Sequence, residues 1–513
     1  MFGQKLEKIT KVDPNEEGLF ESDVPVETRI LVDGYYESNE SSKGHSIIYF
    51  DIETEVDKGL PNPQNALQRI TAISLYSNNL KKYYALILDE HNKLSEFEYP
   101  NVEILRFDNE EDLLLEFLKI YKMCKPDILT GWNSDFFDIP FIYNRLGRLF
   151  GDNKAKELSP LGICYYNDFK KRMVIGGVSC LDYLIVYKKF SGEPAPNYRL
   201  DTIAKKVLGR GKIQYDGNLN DLLENDLKKF LEYSINDTEL LVEMDAKLSF
   251  IQLSIDICHS AHVQYEDFGT SSKIMEGVLL CLLKNKGLVA PNKPAQKEDY
   301  DYEEDEEKFA GAYVKEPIPG LYEWVINADL NSLYPNTIRT LNISPETKKG
   351  KVLNWKEIID VNEIGNLKSI KDESEIQLQI INTKEVVKLT KEKFLKLIKY
   401  KNFSVSGNGI LYDQSKDGLL KQIINTWYSL RKEYKAKMKN AIENKNKEEE
   451  SFWSRREQVQ KILLNSLYGV LGLKSGRLFD LDNAEAVTLS AQLIIKNSSV
   501  LANNYFGKIK RNL

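Results

Sequence analysis

The sequence predicts an α/β protein of several domains, and three observations carry that prediction. Strand-like runs with alternating apolar residues crowd the first 130 positions, broken by a helix with one apolar stripe. Two long amphipathic helices follow one another within residues 419–471. The chain has 513 residues, too many for a single hydrophobic core and enough for roughly three or four domains of ordinary size.

Composition narrows the class. A content of 42% hydrophobic and 29% charged residues is that of a soluble globular protein. The longest apolar run, around Val278 to Leu283, falls far short of the ~20 residues a membrane span needs, and the N-terminus has no signal-peptide core. Five cysteines, Cys124, Cys164, Cys180, Cys258 and Cys281, contain no Cys-x-x-Cys pair, so neither a zinc site nor a disulfide framework is indicated, and a reducing cytoplasm is expected. The formal charge of −7 argues mildly against nucleic acid as a partner. That guide is weak, because residues 298–307 alone carry eight acids, read as a solvated loop, whereas Lys421 to Lys447 is rich in lysine.

Taken in order, residues 1–45 read as polar and irregular. Ser46 to Glu53 reads as a strand, and the alternation of side chains puts Asp51 and Glu53 on one face, where two carboxylates invite a divalent metal. Strands at Arg69 to Leu75 and Tyr83 to Leu88 extend the sheet. Glu111 to Met123 reads as a helix stopped by Pro126, with a short strand at Asp127 to Thr130 after it. Asp138 follows in Gly131 to Pro140, and by itself it fits a metal ligand or a helix N-cap equally. Leu227 to Met244 reads as a helix with one buried stripe, on which Tyr233 and Asp237, four apart, share another face. As an isolated pair they fit a surface contact better than a site. His259 and His262 read as packing or capping residues, and Lys284 to Lys308 as a linker.

The centre of the chain is Ile326 to Pro335, read as an apolar strand that delivers Asp329 and then turns. Asp329 offers oxygen to a hard cation such as Mg²⁺, and the backbone of Leu330, Ser332 and Leu333 with Tyr334 offers a floor for a nucleotide; an ordinary strand-to-turn corner fits the same residues. Residues 348–400 carry no nameable chemistry, and Gly407-Asn408-Gly409 is a turn. A long helix begins at Leu419. In the next, Gln458 to Leu471, Lys461, Asn465 and Tyr468 fall on one side and Val459, Ile462, Leu463, Leu467 and Val470 on the other. That arrangement suits a surface gripping a triphosphate, while a solvated helix face is the plainer account of any single lysine or arginine.

Asp329 to Pro335, "DLNSLYP", and Lys461 to Gly469, "KILLNSLYG", resemble the first and second polymerase motifs of family B DNA polymerases. "GAYVKEPIPG" and "NISPET" around the first are similar to the T-even-type bacteriophage branch, and the resemblance runs from about Glu21 onward. It implies a ribonuclease-H-like 3′ to 5′ exonuclease domain followed by a partial palm with a two-helix fingers insertion. The expected divisions are a remnant segment at 1–45, exonuclease at 46–250, a linker or return segment at 251–300, palm at 301–417, fingers at 418–472 and further palm at 473–513.

By the same resemblance Asp51, Glu53, Asp138 and Asp237 hold two Mg²⁺ ions, with Mn²⁺ as a substitute, and Tyr233, too weak an acid to serve as a base, positions the attacking water. Asp329 becomes a catalytic metal ligand for nucleotide addition, Arg431, Lys461 and Asn465 contact the incoming nucleotide, and Tyr334 blocks a ribose 2′-hydroxyl. Gly311, Tyr468 and Gly469 touch DNA. The implied partners are primer-template DNA and deoxynucleoside triphosphates, in the cytoplasm of a bacterial host and with no membrane. The family draws a second catalytic carboxylate from a later Asp-Thr-Asp hairpin, and the sole Asp-Thr-acid triplet here is Asp237-Thr238-Glu239. The expectation is therefore a complete nuclease site and a polymerase site that needs a second polypeptide, through which any sliding clamp would also be reached; a split polymerase and a simple truncation both account for this. A stand-alone exonuclease and a non-catalytic DNA-binding scaffold are the alternatives.

Overall fold

A computed structural model describes residues 20–38, 42–56, 61–94, 96–192, 194–217, 219–293, 311–322, 325, 327–359, 367–474 and 476–510. The acidic run 298–307 lies outside these residues, as do Phe309, Ala310 and Ile326. By internal packing the chain divides into two compact units, residues 38–269 and residues 1–37 with 270–513.

The first described helix, α1 (Val26–Tyr35), corrects the expectation of an irregular segment before residue 46. A ten-residue helix is marginal by itself, and this one buries only Val32, so periodicity could not announce it. Charge contacts from distant positions hold it and its approach. Glu21 pairs with Arg29, Asp33 with Lys284, and Asp23 with the buried guanidinium of Arg477. The same contacts reach the described part of the expected linker, where the Ala290 amide donates to Glu21 at 2.8 Å and that of Lys293 to Asp23 at 3.1 Å.

The unit of residues 38–269 contains β1 (Ile47–Thr54), β2 (Ile70–Ser77), β3 (Lys82–Leu88), β4 (Val102–Phe107), α2 (Glu110–Cys124), β5 (Ile128–Thr130), α3 (Asp138–Phe150) and α4 (Asp152–Ala155). After these come the hairpin β6 (Cys164–Asn167) and β7 (Arg172–Ile175), then β8 (Ser179–Cys180), α5 (Tyr183–Phe190), α6 (Leu200–Leu208), α7 (Leu219–Asn225), α8 (Leu227–Leu248) and α9 (Phe250–Ala261). Six strands form one sheet in the order β4-β3-β2-β1-β5-β8. β1 is antiparallel to β2 and parallel to β5. Its residues Ile48, Phe50 and Ile52 enter a core shared with Phe117 of α2 and Phe141 of α3. Alternation therefore turns Tyr49, Asp51 and Glu53 to the opposite face. There Ala72, Ala85 and Ile87 meet Phe230, Leu231 and Ile235 of α8, and the Tyr49 hydroxyl donates to Asp245 of that helix at 2.7 Å. Each fully buried Ile, Leu or Phe adds roughly 1.5–3 kcal/mol, so α8 is fixed over the acidic face of β1. β4 has no sequence signal because all six of its residues are half-buried and no alternation results.

In the other unit, α10 (Ser271–Asn285) and α11 (Leu333–Leu341) precede β9 (Lys348–Val352), α12 (Trp355–Ile358), β10 (Glu375–Ile380), β11 (Val386–Thr390), α13 (Lys391–Lys401), β12 (Phe403–Val405) and β13 (Ile410–Asp413). The five strands form an antiparallel sheet in the order β11-β10-β9-β13-β12, so the stretch without nameable chemistry is a framework. Two long helices, α14 (Leu419–Glu443) and α15 (Lys447–Leu471), are joined by a turn at 444–446 and followed by α16 (Leu481–Lys510). The Gly407 turn sits on α16 so closely that a Cβ there would lie 2.7 Å from the Leu489 backbone.

The strand expected to carry Asp329 is also absent from the described residues. Residues 327–330 form no strand. A strand exists only where a neighbour takes up its amides and carbonyls, and no described strand lies in register with this segment.

Candidate active site

The face-to-face packing of β1 and α8 brings three carboxylates together. One oxygen each from Asp51, Glu53 and Asp237 lies within 4.8 Å of the others, the one such group of three acidic, histidine or cysteine ligands among the described residues. Asp138 stands beside this group and outside it, with Oδ1 accepting the Ile52 amide at 3.1 Å between the two acidic residues of β1. It opens α3 without capping it, since the capping position is Phe137. Asp237 is 1% exposed, Asp138 3% and Tyr233 9%, so the reading of Tyr233 and Asp237 as a surface pair does not hold.

Lys212 is the participant that sequence reasoning missed. It lies in the loop between α6 and α7, where no periodicity marks it. Its Nζ donates to Asp237 Oδ2 at 2.5 Å and to the Tyr233 hydroxyl at 2.8 Å, while its amide donates to Asp201 at 2.9 Å. Burial works against the ammonium, yet Asp237, Tyr233, Asp51 and Glu53 outweigh it and hold Lys212 above its usual range. The carboxylates are shifted upward as well. Burial, then Asp138, Asp237 and Glu53, push Asp51 well above the usual carboxylate range. Burial and Asp237 raise Glu53 to about 8, and burial raises Asp138 to about 7. These groups repel one another and lack solvent, a state that a bound cation relieves. The donor set is all oxygen, and Asp237 Oδ1 is buried with no hydrogen-bond partner. Such a set fits a hard divalent ion.

These shifts predict a pH dependence for the metal-free chain. Folded Glu53 keeps its proton to about pH 8, while the unfolded chain releases it near the ordinary glutamate value of about 4.3. Between those values the folded state binds more protons, so stability falls as pH rises. The thermal midpoint should decline from about pH 5 to about pH 8 without metal, with a shallower slope in Glu53→Gln and with Mg²⁺ present.

Gly131 lets the loop carrying Asp138 approach β1. A Cβ there would sit 2.7 Å from the Phe50 carbonyl oxygen and 2.9 Å from Ser134 Cβ. Gly131→Ala is therefore expected to push the loop off the strand bearing Asp51. Calorimetric titration with Mn²⁺ should show affinity lowered about tenfold or more, the cost typical of outer-shell disruption.

In the other unit the expected nucleotide residues are arranged as follows. Lys461 and Asn465 are exposed on α15, Tyr468 is half-buried, and Val459, Leu463, Leu467 and Val470 are buried, the division expected from the helical period except that Ile462 is only half-buried. The Tyr334 and Tyr468 rings lie 4.5 Å apart. Ser332 adopts φ 52° ahead of α11, beside half-buried Leu333, and Leu330 and Asp329 are exposed. Arg431 is held between the long helices by Glu457, with Nε 2.7 Å from its carboxylate. Gly311 is exposed, with its carbonyl accepting from Gln492 at 2.7 Å, and exposed Gly469 has open space where a Cβ would be. Asp329 belongs to no three-ligand group among the described residues. No helix of the described residues is long and apolar enough to cross a membrane.

Comparison with known proteins agrees with both halves. Residues 14–203 match the exonuclease domain of DNA polymerase family B, and residues 265–512 match DNA polymerase family B itself. The chain is 30% identical to a DNA-directed DNA polymerase of Escherichia phage RB69 and 28% identical to that of Enterobacteria phage T4, in each case over 90% of this chain and 55% of the relative. A DNA polymerase of Pyrococcus glycovorans is 26% identical over 92% of this chain and 52% of its own length. The chain thus spans about half the length of the relatives it matches. With Asp51, Glu53 and Asp138 in the segment that matches the exonuclease domain, Asp237 following that segment, and the two polymerase motifs in the segment that matches the polymerase, the chain belongs to the family B DNA polymerases.

Proposed function

We propose that the chain works in viral DNA replication as a DNA-directed DNA polymerase with a 3′ to 5′ proofreading exonuclease, in the cytoplasm of a bacterial host. The observation that carries the nuclease reading is the convergence of Asp51, Glu53 and Asp237 within 4.8 Å, with Asp138 beside them. These four residues would hold two Mg²⁺ ions, with Mn²⁺ as a substitute. When bound, such a pair supplies a nucleophilic hydroxide and offsets charge on the leaving oxygen. The oxygen of Tyr233 accepts from Lys212 and its hydroxyl also bonds to Asp237, so its proton would turn to a water or a phosphate oxygen once a cation takes the Asp237 carboxylate. Burial and Asp237 raise its pKa above the usual tyrosine value, so that proton stays in place at neutral pH. Lys212 carries the positive charge that faces the scissile phosphate.

For nucleotide addition, a primer 3′-hydroxyl attacks the α-phosphate of a deoxynucleoside triphosphate and releases pyrophosphate. Asp329 would hold metal, Arg431 and Lys461 would offset triphosphate charge, and Asn465 would face the nucleotide. The Leu330–Leu333 backbone and the Tyr334 ring would form the floor and exclude a ribose 2′-hydroxyl. Gly311, Tyr468 and Gly469 would follow the DNA. We assign residues 46–250 to the exonuclease, 301–417 and 473–513 to the palm and 418–472 to the fingers. A second carboxylate for addition, the thumb and any clamp contact would come from residues other than the described ones.

Two assays test the proposal. Degradation of an end-labelled single-stranded oligonucleotide with Mg²⁺ is expected from the chain as it stands, and absence of degradation would remove the nuclease reading. Primer extension by these 513 residues alone is expected to be undetectable, because Asp329 joins no group of three ligands among the described residues, and extension would refute that reading. A stand-alone exonuclease is the second reading, favoured by the fact that only the nuclease acids are gathered among the described residues.

A further inference from the structure

A buried carboxylate outside the acidic cluster accepts hydrogen bonds from the loop that carries Asp138. Asp182 precedes α5, is 1% exposed, and has no ion pair among the described residues. A charge so placed is costly unless hydrogen bonds satisfy it. Three backbone amides do so. Oδ1 accepts from Leu184 at 2.8 Å and from Asn133 at 3.1 Å, and Oδ2 accepts from Asp135 at 3.3 Å.

The first of these bonds is an ordinary N-cap, for which a serine or asparagine would serve as well. The other two reach across to the loop that runs from β5 to α3. That loop leaves the sheet at Gly131, turns through Asn133 at φ 68°, and returns Asp138 to the Ile52 amide. Beyond Asp182, the Tyr183 amide also donates to the Gly131 carbonyl at 2.9 Å. Two acceptor-only oxygens on one short side chain are what allow a cap and a clamp at once; serine has one oxygen, and asparagine would turn an N–H toward one of the amides.

We propose that Asp182 is a positioning residue for the acidic site, clamping the Asn133 and Asp135 amides so that Asp138 is delivered beside Asp51 and Glu53. The proposal rests on the metal-dependent nuclease reading, which the oligonucleotide assay tests separately.

The test uses the full chain, with Mn²⁺ binding followed by electron paramagnetic resonance and folding by thermal midpoint. Asp182→Ser keeps a cap for Leu184 and cannot reach the loop; it is expected to fold and to bind Mn²⁺ about tenfold or more weakly. Asp182→Asn, which keeps one acceptor, should fall between. A folded Asp182→Ser that binds Mn²⁺ as the unsubstituted chain does would overturn the proposal. In the unsubstituted chain, the Asn133 and Asp135 amides should exchange slowly with solvent deuterium, and more slowly with Mn²⁺ bound. Exchange at the rate of an open loop would overturn it without any variant.

Discussion

Asp51→Ala and Asp237→Ala, each made singly, are expected to abolish Mg²⁺-dependent shortening of an end-labelled single strand. The loss should exceed the roughly 10- to 100-fold typical of changes around a metal site, because each residue supplies an oxygen to the cluster itself. Asp237 is the more exacting case. Its Oδ1 is buried without a partner, so the variant removes a group whose presence in the fold is costly unless a cation uses it. Stability should separate the two roles of the carboxylate. Asp51→Ala relieves repulsion from Asp138, Asp237 and Glu53, and the metal-free variant should melt no lower than the unsubstituted chain. Full activity in either variant would show that the acids do not form the nuclease site.

Lys212→Met is expected to act in two ways that a single assay would confuse. The ammonium neutralises Asp237 and fixes the Tyr233 hydroxyl, so its loss should lower the rate of strand shortening by about a hundredfold or more. It also leaves Asp237 without its cation. Breaking a buried pair costs about 3–5 kcal/mol, and less is expected here because the Lys212 side chain is 27% exposed. A bound divalent ion supplies the missing positive charge. The fall in thermal midpoint should therefore be larger without Mg²⁺ than with it. Equal falls in both conditions would mean that Lys212 acts by packing alone.

Much of this was legible in the sequence, where one element carried its own signal. The alternation in β1 fixed the common face of Asp51 and Glu53, and the 3.6-residue period of α15 separated Lys461 and Asn465 from Leu463 and Leu467. The segment 327–330 misled because an apolar run followed by a turn describes a strand only if something pairs with it. The helix α1 was hidden for the opposite reason, since its support comes from Lys284 and Arg477, far along the chain.

The sequence by itself determined which acids exist, which of them share a face, and which family they resemble. Only the tertiary structure decided that Lys212 stands between Asp237 and Tyr233, that Asp138 docks on the Ile52 amide outside the three-acid group, and that Asp182 ties down the loop between them. The physical reason is range. Periodicity and turn chemistry act over a few residues, whereas a lone carboxylate or ammonium in a loop acquires its partner, its burial and its proton affinity from elements brought near it by packing.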